Sequence, residues 1–385
     1  MRIARKSLPI SRSVEYLWRN PDAPDRYSAA VSLHSHTMHS REGLDFVPRV
    51  LACVPLARAA LETAEQIALR RTGKRIPFER VFWRPPLHPG AAHDLEAGQI
   101  RELLGLQPLV SITDHDTLEA CAELRAIGIE VPYSLEWTAP YMGTVFHIGV
   151  HNLPPGQARE LESAMALVTA APTPQRITDL LAAMSSLPDV LLVLNHPFSC
   201  EQLVERPEHI RLLRQFLNES GAWLHALELN GLQTAANNAD TIGLAAERGM
   251  PVISGGDRHC LEPNANLNLT NERSFAGFVN EIRAGHSTVL FLPQYRDPIS
   301  ARYVEFVWET VRTYAEFTGR ERWLDRVFVR LESGETVTCA SVWPHGRPPV
   351  IPSFISLVGF LASPWMRAMH CKAVGPTPSL EPEAL

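Results

Sequence analysis

The sequence predicts an α/β fold organised around a mainly parallel sheet. Short apolar runs alternate with amphipathic stretches of helical period, the pattern of strand, helix, strand. Many of the apolar runs end in histidine or carboxylate, and strand C-terminal ends are where α/β sheets assemble their sites. The 385 residues are 45% hydrophobic and 20% charged, which suits a globular chain of one large or two ordinary domains.

The strand candidates run in order. "AAVSL" ends at His34, "PLVSIT" at Asp114 and His115, and "IEVPYSL" at Glu136. "TVFHIGV" carries His147, "VLLVLN" ends at His196, "HALELN" carries Glu228, and "MPVISGG" ends at Asp257 and His259. Each is a short apolar run bounded by turn residues, as buried strands are. Between them lie helix-like stretches at 116–128, 173–186, 206–221 and 236–249, the last two ending in glycine.

Residues 45–105 break this rhythm. A helical pattern is followed by the Pro-rich, aromatic "KRIPFERVFWRPPLHPGAAH", which reads as an insertion beside the site or a surface decoration. The expected organisation is an N-terminal segment 1–28, a catalytic domain 29–290 containing the insertion, and an accessory region 291–385. Within the last, "ISARYVEFVWETVRTYAEFTGRERWLDRVF" reads as one or two amphipathic helices. "FVRLESGETVTC" reads as a hairpin through Ser333-Gly334. The Pro-rich end from Pro376 is expected to fray.

Charge narrows the partners. The net charge of -6 argues against a general nucleic-acid coat and makes duplex DNA a poor substrate. The six cysteines form no CxxC pair, so free thiols in a reducing cytoplasm are expected. The N-terminus lacks the long apolar core of a secretory signal. "FISLVGFLASPWM" is too short to span a bilayer; a core or amphipathic helix is the expectation there, with surface membrane association as the other reading. Homo-oligomerisation is left open.

The polar strand ends form a chemically coherent set. Alternate residues of an extended segment share a face, so His34 and His36 can address one ion, as can Asp257 and His259. Imidazoles and carboxylates without thiolates suit Zn²⁺, Mn²⁺ or Fe²⁺ in hydrolytic sites. The donors exceed what one tetrahedral ion needs. Two or three divalent ions, bridged by Glu136 or Asp257, account for them.

In order along the chain, "HSHTMHS", "SITDHDT", "SLEWT", "FHIGV", "LNHPF" and "GGDRH" resemble the motifs of the polymerase and histidinol phosphatase (PHP) superfamily. The resemblance covers residues 30–262. It implies a distorted (β/α)7 barrel, similar to a TIM barrel, with a metal cluster at its C-terminal mouth and phosphoester hydrolysis as the usual chemistry. It implies His34, His36 and Asp257 as ligands of a first ion, and Glu136 as the bridge to a second held by His147 and His196. His115 and His259 are implied for a third, with Asp114 orienting a neighbouring imidazole. The catalytic candidates are thus Asp114, His115, His196 and Asp257.

The sequence departs from the family at one place. Where the family has an acid after its HSHT motif, this chain reads "SREG", with Arg41 at the acid's position and Glu42 one later. Glu42 can enter through a one-residue shift, His39 can substitute, or the third site is lost and Arg41 holds a substrate phosphate. Glu42 is preferred. Arg258 should face away from the ion by alternation, yet is a second candidate for phosphate contact at the rim.

The expected function is a metal-dependent phosphoesterase that hydrolyses a small phosphomonoester or nucleotide by attack of metal-activated water. A phosphodiesterase or exonuclease acting on short nucleic acid is the alternative; it would need a base-stacking aromatic, for which Trp137, Tyr141 and "VFWRPP" are candidates. The remaining alternative is a non-catalytic, metal-binding regulatory protein. No GxSxG elbow, Walker loop or GxGxxG cradle is present, so serine-hydrolase and nucleotide-triphosphate chemistry have no support.

Overall fold

The structure is a computed structural model that describes residues 11–44, 62, 63, 66, 69, 70, 80–199, 204–331, 333–342 and 350–380. The helical pattern read across 48–73 lies almost wholly outside the described residues. Among the described residues there are fourteen strands: β1 (Ser11–Tyr16), β2 (Ala29–Ser32), β3 (Glu42–Gly43), β4 (Val81–Trp83), β5 (Gln107–Val110), β6 (Tyr133–Tyr141) and β7 (Thr144–Leu153) in the first half. The second half contributes β8 (Leu191–Leu194), β9 (Ala226–Asn230), β10 (Val252–Gly255), β11 (Asn266–Thr270), β12 (His286–Phe291), β13 (Val327–Arg330) and β14 (Thr336–Thr338). The helices begin with α1 (Pro89–Leu104), α2 (Glu119–Ala126), α3 (Ala158–Ala170), α4 (Pro174–Ser185), α5 (Arg206–Ser220), α6 (Ala235–Arg248) and α7 (Phe275–Arg283). They end with α8 (Ile299–Val311), α9 (Trp323–Arg326), α10 (Cys339–Val342), α11 (Val350–Leu361) and α12 (Pro364–Val374).

Among the described residues the strands form two five-stranded sheets and one four-stranded sheet rather than a single closed barrel. Their orders are β1-β12-β11-β2-β5, β10-β9-β8-β7-β6 and β14-β13-β4-β3. Two isolated bridges link the large sheets, Ser35 with Arg258 and His115 with Glu136. The predicted α/β class is observed, but the pairing is mixed rather than mainly parallel. β6 and β7 follow each other with no helix between, so they close as an antiparallel hairpin. Its tip, Met142-Gly143, has φ of 49° and 91°, the two positive values that match a hairpin's right-handed twist. β11 is antiparallel to both its neighbours, β12 and β2.

The expected domain boundaries are crossed twice. β1, from the N-terminal segment, pairs in parallel with β12. β4, from the insertion, pairs with β13 of the C-terminal region. β13 and β14 do form the hairpin expected around Ser333-Gly334. Residues 376–380 are not frayed as expected: Thr377 donates to Arg296 O at 2.8 Å, and Tyr16 Oη donates to Leu380 O at 2.8 Å with Leu380 buried. A backbone tied at both points has no freedom to fray.

Alternation along β6 and β7 sets the layers. Leu135, Trp137, Ala139 and Tyr141, with Phe146, Ile148 and Val150, join one core with Met165, Ile177, Leu181, Leu212 and Phe216 of α3, α4 and α5. Burial of each large side chain contributes roughly 1.5–3 kcal/mol. By the same two-residue period Glu136 and His147 belong to the opposite face. The helices that pin one side of this sheet therefore aim the polar side chains of the other. Trp137 and Tyr141 are spent in this core, Trp137 donating to Thr169 and Tyr141 to Glu219; neither is placed to stack on a base.

Candidate metal centre

Nine residues from seven segments converge: His34, His36, Glu42, His115, Glu136, His147, His196, Asp257 and His259. Their donor atoms fall into four overlapping groups, His34–His196–Asp257, His34–His36–Glu136, His36–Glu42–His259 and His115–Glu136–His147. Glu136 is the hub. Its Oε2 lies 3.0 Å from His34 Nε2 and 3.4 Å from both His36 Nε2 and His115 Nε2. Its Oε1 lies 3.3 Å from His196 Nε2 and 3.4 Å from His147 Nδ1. The family resemblance pairs His147 with His196, and both face Glu136 Oε1; the tightest donor groups nonetheless join His147 to His115, and His196 to His34 and Asp257.

The donor set fits divalent ions. Donors about 2.1 Å from a common ion stand roughly 3.0–3.4 Å apart at octahedral or tetrahedral angles. The separations here are of that size: His34 Nε2 to His36 Nε2 is 3.0 Å, His36 Nε2 to Asp257 Oδ1 3.5 Å, and His259 Nε2 to Glu42 Oε2 3.4 Å. Rings of His36 and His259 stack with centroids 4.4 Å apart, and those of His36 and His115 at 4.9 Å. Imidazole lone pairs and carboxylates packed so closely, out of water, call for a shared cation.

Supporting hydrogen bonds turn the rings. His34 Nδ1 is 2.6 Å from Glu228 Oε1, so a proton on Nδ1 leaves the Nε2 lone pair for metal. His36 Nδ1 meets Ser40 Oγ at 3.2 Å, and that hydroxyl donates to Glu42 Oε1 at 2.6 Å. His259 Nδ1 donates to the Asp257 carbonyl at 2.9 Å. Asn195 donates to Glu136 at 2.9 Å, and Asn230 to Asp257 Oδ2 at 3.1 Å. Glu228 also accepts from the His196 amide at 2.8 Å. Strand β10 admits this carboxylate only because Gly255 has no Cβ; one built there would fall on Glu228.

Two of the candidate ligands sit on left-handed backbone, His196 at φ 27° and Asp257 at φ 55°. Non-glycine residues adopt that region at a cost, and such outliers cluster at functional sites. Electrostatics are tightly coupled. Burial disfavours charge throughout, but in Asp257 it is overcome by His34 and His36, and in Glu136 by His34 and His115, so both carboxyls lie well below their usual range. Burial likewise opposes charge on His196 and His259, yet Glu136 lifts the one and Glu42 the other to about 9. His36, desolvated and facing the His259 charge, drops to about 4.

The other predicted residues are placed differently. Asp114 orients no imidazole. Its carboxylate accepts from the Thr37 amide at 2.5 Å and the Thr37 hydroxyl at 2.7 Å, fixing the turn after His36, and burial raises it to about 6. His39 lies outside the cluster and pairs with Glu123 at 3.0 Å. Arg41 is exposed, its guanidinium 5.7 Å from the centre of the Phe82 ring. Arg258 is not at a rim: it is 3% exposed, with Nε 2.9 Å from Glu96 Oε1 in an ion pair lacking hydrogen-bond alignment. Its Nη2 donates to Gln99 Oε1 at 2.5 Å, so alternation turned it away from the ion site and α1 claimed it.

Sequence reading missed the wall contributed by α8. Phe306 meets His259 edge to face at 5.5 Å, and Tyr303, 43% exposed, feels the charge of Asp257. No motif in the C-terminal region signals this. Ser40 was also missed; a lone serine four residues after a histidine carries no signal.

No family model and no protein of curated function matches the chain. Solved structures similar to it at low levels include the following two. An amidohydrolase from Chromobacterium violaceum is 15% identical, aligning 46% of this chain with 84% of that one at a TM-score of 0.32. A protein described as a metal-dependent phosphoesterase from Bifidobacterium adolescentis is 15% identical, aligning 67% of this chain with 96% of that one at a TM-score of 0.31.

Proposed function

We propose that this protein is a metal-dependent phosphoesterase of PHP type that hydrolyses a small phosphomonoester or nucleotide. One observation carries the reading: eight histidine and carboxylate side chains gather with the single carboxylate of Glu136, the set drawn from six motifs in the PHP order and from Glu42. The two large sheets, linked at Ser35–Arg258 and His115–Glu136, are the two halves of a distorted barrel in this reading. His34, His36, Glu42, His115, Glu136, His147, His196, Asp257 and His259 would hold two or three ions, of Mn, Fe or Zn. Bound, those ions would supply Lewis acidity toward a phosphoryl oxygen and a water acidified to near neutrality.

The chain's own residues do the rest. Glu228, Ser40 and the Asp257 carbonyl hold three imidazoles in one tautomer and orientation. Asn195 and Asn230 fix the two carboxylates, so no group must reorganise as charge develops. Phe306 of α8 and the buried Trp83, 6.1 Å from His259 by ring centroids, limit water on the His259 side.

The test is metal content by elemental mass spectrometry on protein purified without chelator, followed by a screen of phosphomonoesters and short nucleotides. Two or more ions per chain, lost together with activity in a His34→Ala, Asp257→Ala variant, support the reading. Protein that takes up neither Mn²⁺ nor Zn²⁺, or that binds both and hydrolyses nothing, refutes it.

A further inference from the structure

We infer that the helical hairpin of α11 and α12 docks the protein onto an anionic phospholipid surface. The observation is an apolar face that the described residues leave open. Phe354, Leu357, Phe360 and Leu361 of α11 are 37–55% exposed, and Trp365 of α12 is 64% exposed. At 100° per residue the four α11 side chains share one arc of the helix. The side opposite the arc faces the body of the protein, since a Cβ on Gly359 would meet the Trp308 ring of α8 at 2.7 Å; buried Val358 borders the arc. The open arc is therefore not a surface that α8 uses.

Charge selects the occupant. The stretch 336–380 contains no Asp or Glu, although the chain has 42 of them and a net charge of -6. Arg347, Arg367 and Lys372 fall in that stretch. Arg367 neutralises the nearest acids, pairing with Asp297 at 2.5 Å and Glu305 at 2.8 Å. Exposed Lys372 shares a face with Trp365 and Met369 at i, i+4 and i+7 spacing. With Arg367 taken up by Asp297 and Glu305, exposed Lys372 is the cation that α12 offers beside its apolar residues. An anionic bilayer offers both an apolar interior for Phe354, Leu357 and Phe360 and phosphates for Lys372. Tryptophan at 365 suits the headgroup level. No described helix is long and apolar enough to cross a membrane, so the hairpin lies in the interface plane.

The test uses the full chain and co-sedimentation with phosphatidylcholine vesicles, with and without phosphatidylglycerol. The full chain should sediment with the anionic vesicles and little with phosphatidylcholine alone. Phe360→Ser with Trp365→Ser should weaken partitioning at least about tenfold, and Lys372→Glu about fivefold. Metal content and circular dichroism of the variants report whether the fold is intact. Equal behaviour of wild type and well-folded variants with both vesicles overturns the inference. So does a dimer, seen by light scattering, that the same substitutions dissolve in the absence of vesicle binding.

Discussion

Replacing Glu228 by glutamine should loosen the metal centre without unfolding the chain. Glu228 is not in the donor set, yet it touches two members: Oε1 is 2.6 Å from His34 Nδ1, and Oε2 accepts from the His196 amide at 2.8 Å. Glutamine keeps the shape and one acceptor but loses the charge that favours His34 Nδ1–H. Removing such a supporting carboxylate lowers metal affinity about 10–100-fold, which is about 1.4–2.8 kcal/mol. Gly255→Ala should act by a different route to the same end, because its methyl group would displace the Glu228 side chain. Competition against a chromophoric chelator, titrating Mn²⁺ or Zn²⁺ into metal-free protein, measures both. Unchanged affinity in Glu228→Gln would refute the claim that this carboxylate sets the His34 tautomer. Loss in Gly255→Ala alone would show that β9–β10 packing, not the carboxylate, supports the site.

Metal binding should expel protons. His196 and His259 lie near 9, so at about pH 7.5 the metal-free protein holds them protonated, and ligands must shed those protons to bind. Affinity should therefore rise with pH up to about 9 and then flatten; calorimetric heats that do not vary with buffer ionisation enthalpy would contradict this. Glu42→Gln should reduce the metal stoichiometry by one ion, since Glu42 is the carboxylate of the His36–Glu42–His259 group; unchanged stoichiometry by mass spectrometry would remove Glu42 from the site. Arg258→Leu should cost about 3–5 kcal/mol in urea unfolding by stranding the Glu96 charge, with recovery in the Arg258→Leu, Glu96→Leu double variant. A rise in KM at unchanged stability would instead make Arg258 a substrate contact. Met142→Asn should raise stability by about 1 kcal/mol, because asparagine tolerates the positive φ of the hairpin tip; a lower Tm would refute it.

The convergence of these residues was legible because most of them follow strand ends or, like Glu136 and His147, alternate along β6 and β7, where side-chain direction leaves little freedom. His34 and His36 had to share a face, and Glu136 had to oppose Leu135 and Trp137. The choice of Glu42 over His39 came from the motif's departure, and Glu42 does stand 3.2 Å from His115 while His39 turns to Glu123. What sequence could not supply was anything decided by contacts far apart in the chain. The partner of Arg258 is 162 positions away on α1, a helix hidden inside the insertion, so alternation along the motif alone leaves this inward-facing arginine a candidate for the rim. The parallel pairing was over-read because a hairpin and a crossover begin with the same apolar run. The wall made by α8 left no trace, since an amphipathic helix looks the same whether its apolar face meets a core or a metal ligand.

The left-handed backbone at His196 and Asp257 separates two qualities often assumed to travel together. Glycine at either position would relieve roughly 1–2 kcal/mol of steric conflict while deleting a donor. Selection for heat resistance alone would then favour glycine at 196 and 257, and its winners would be robust and inert. A heat-challenge library assayed also for metal retention should sort into two populations at those positions, the sturdier one empty.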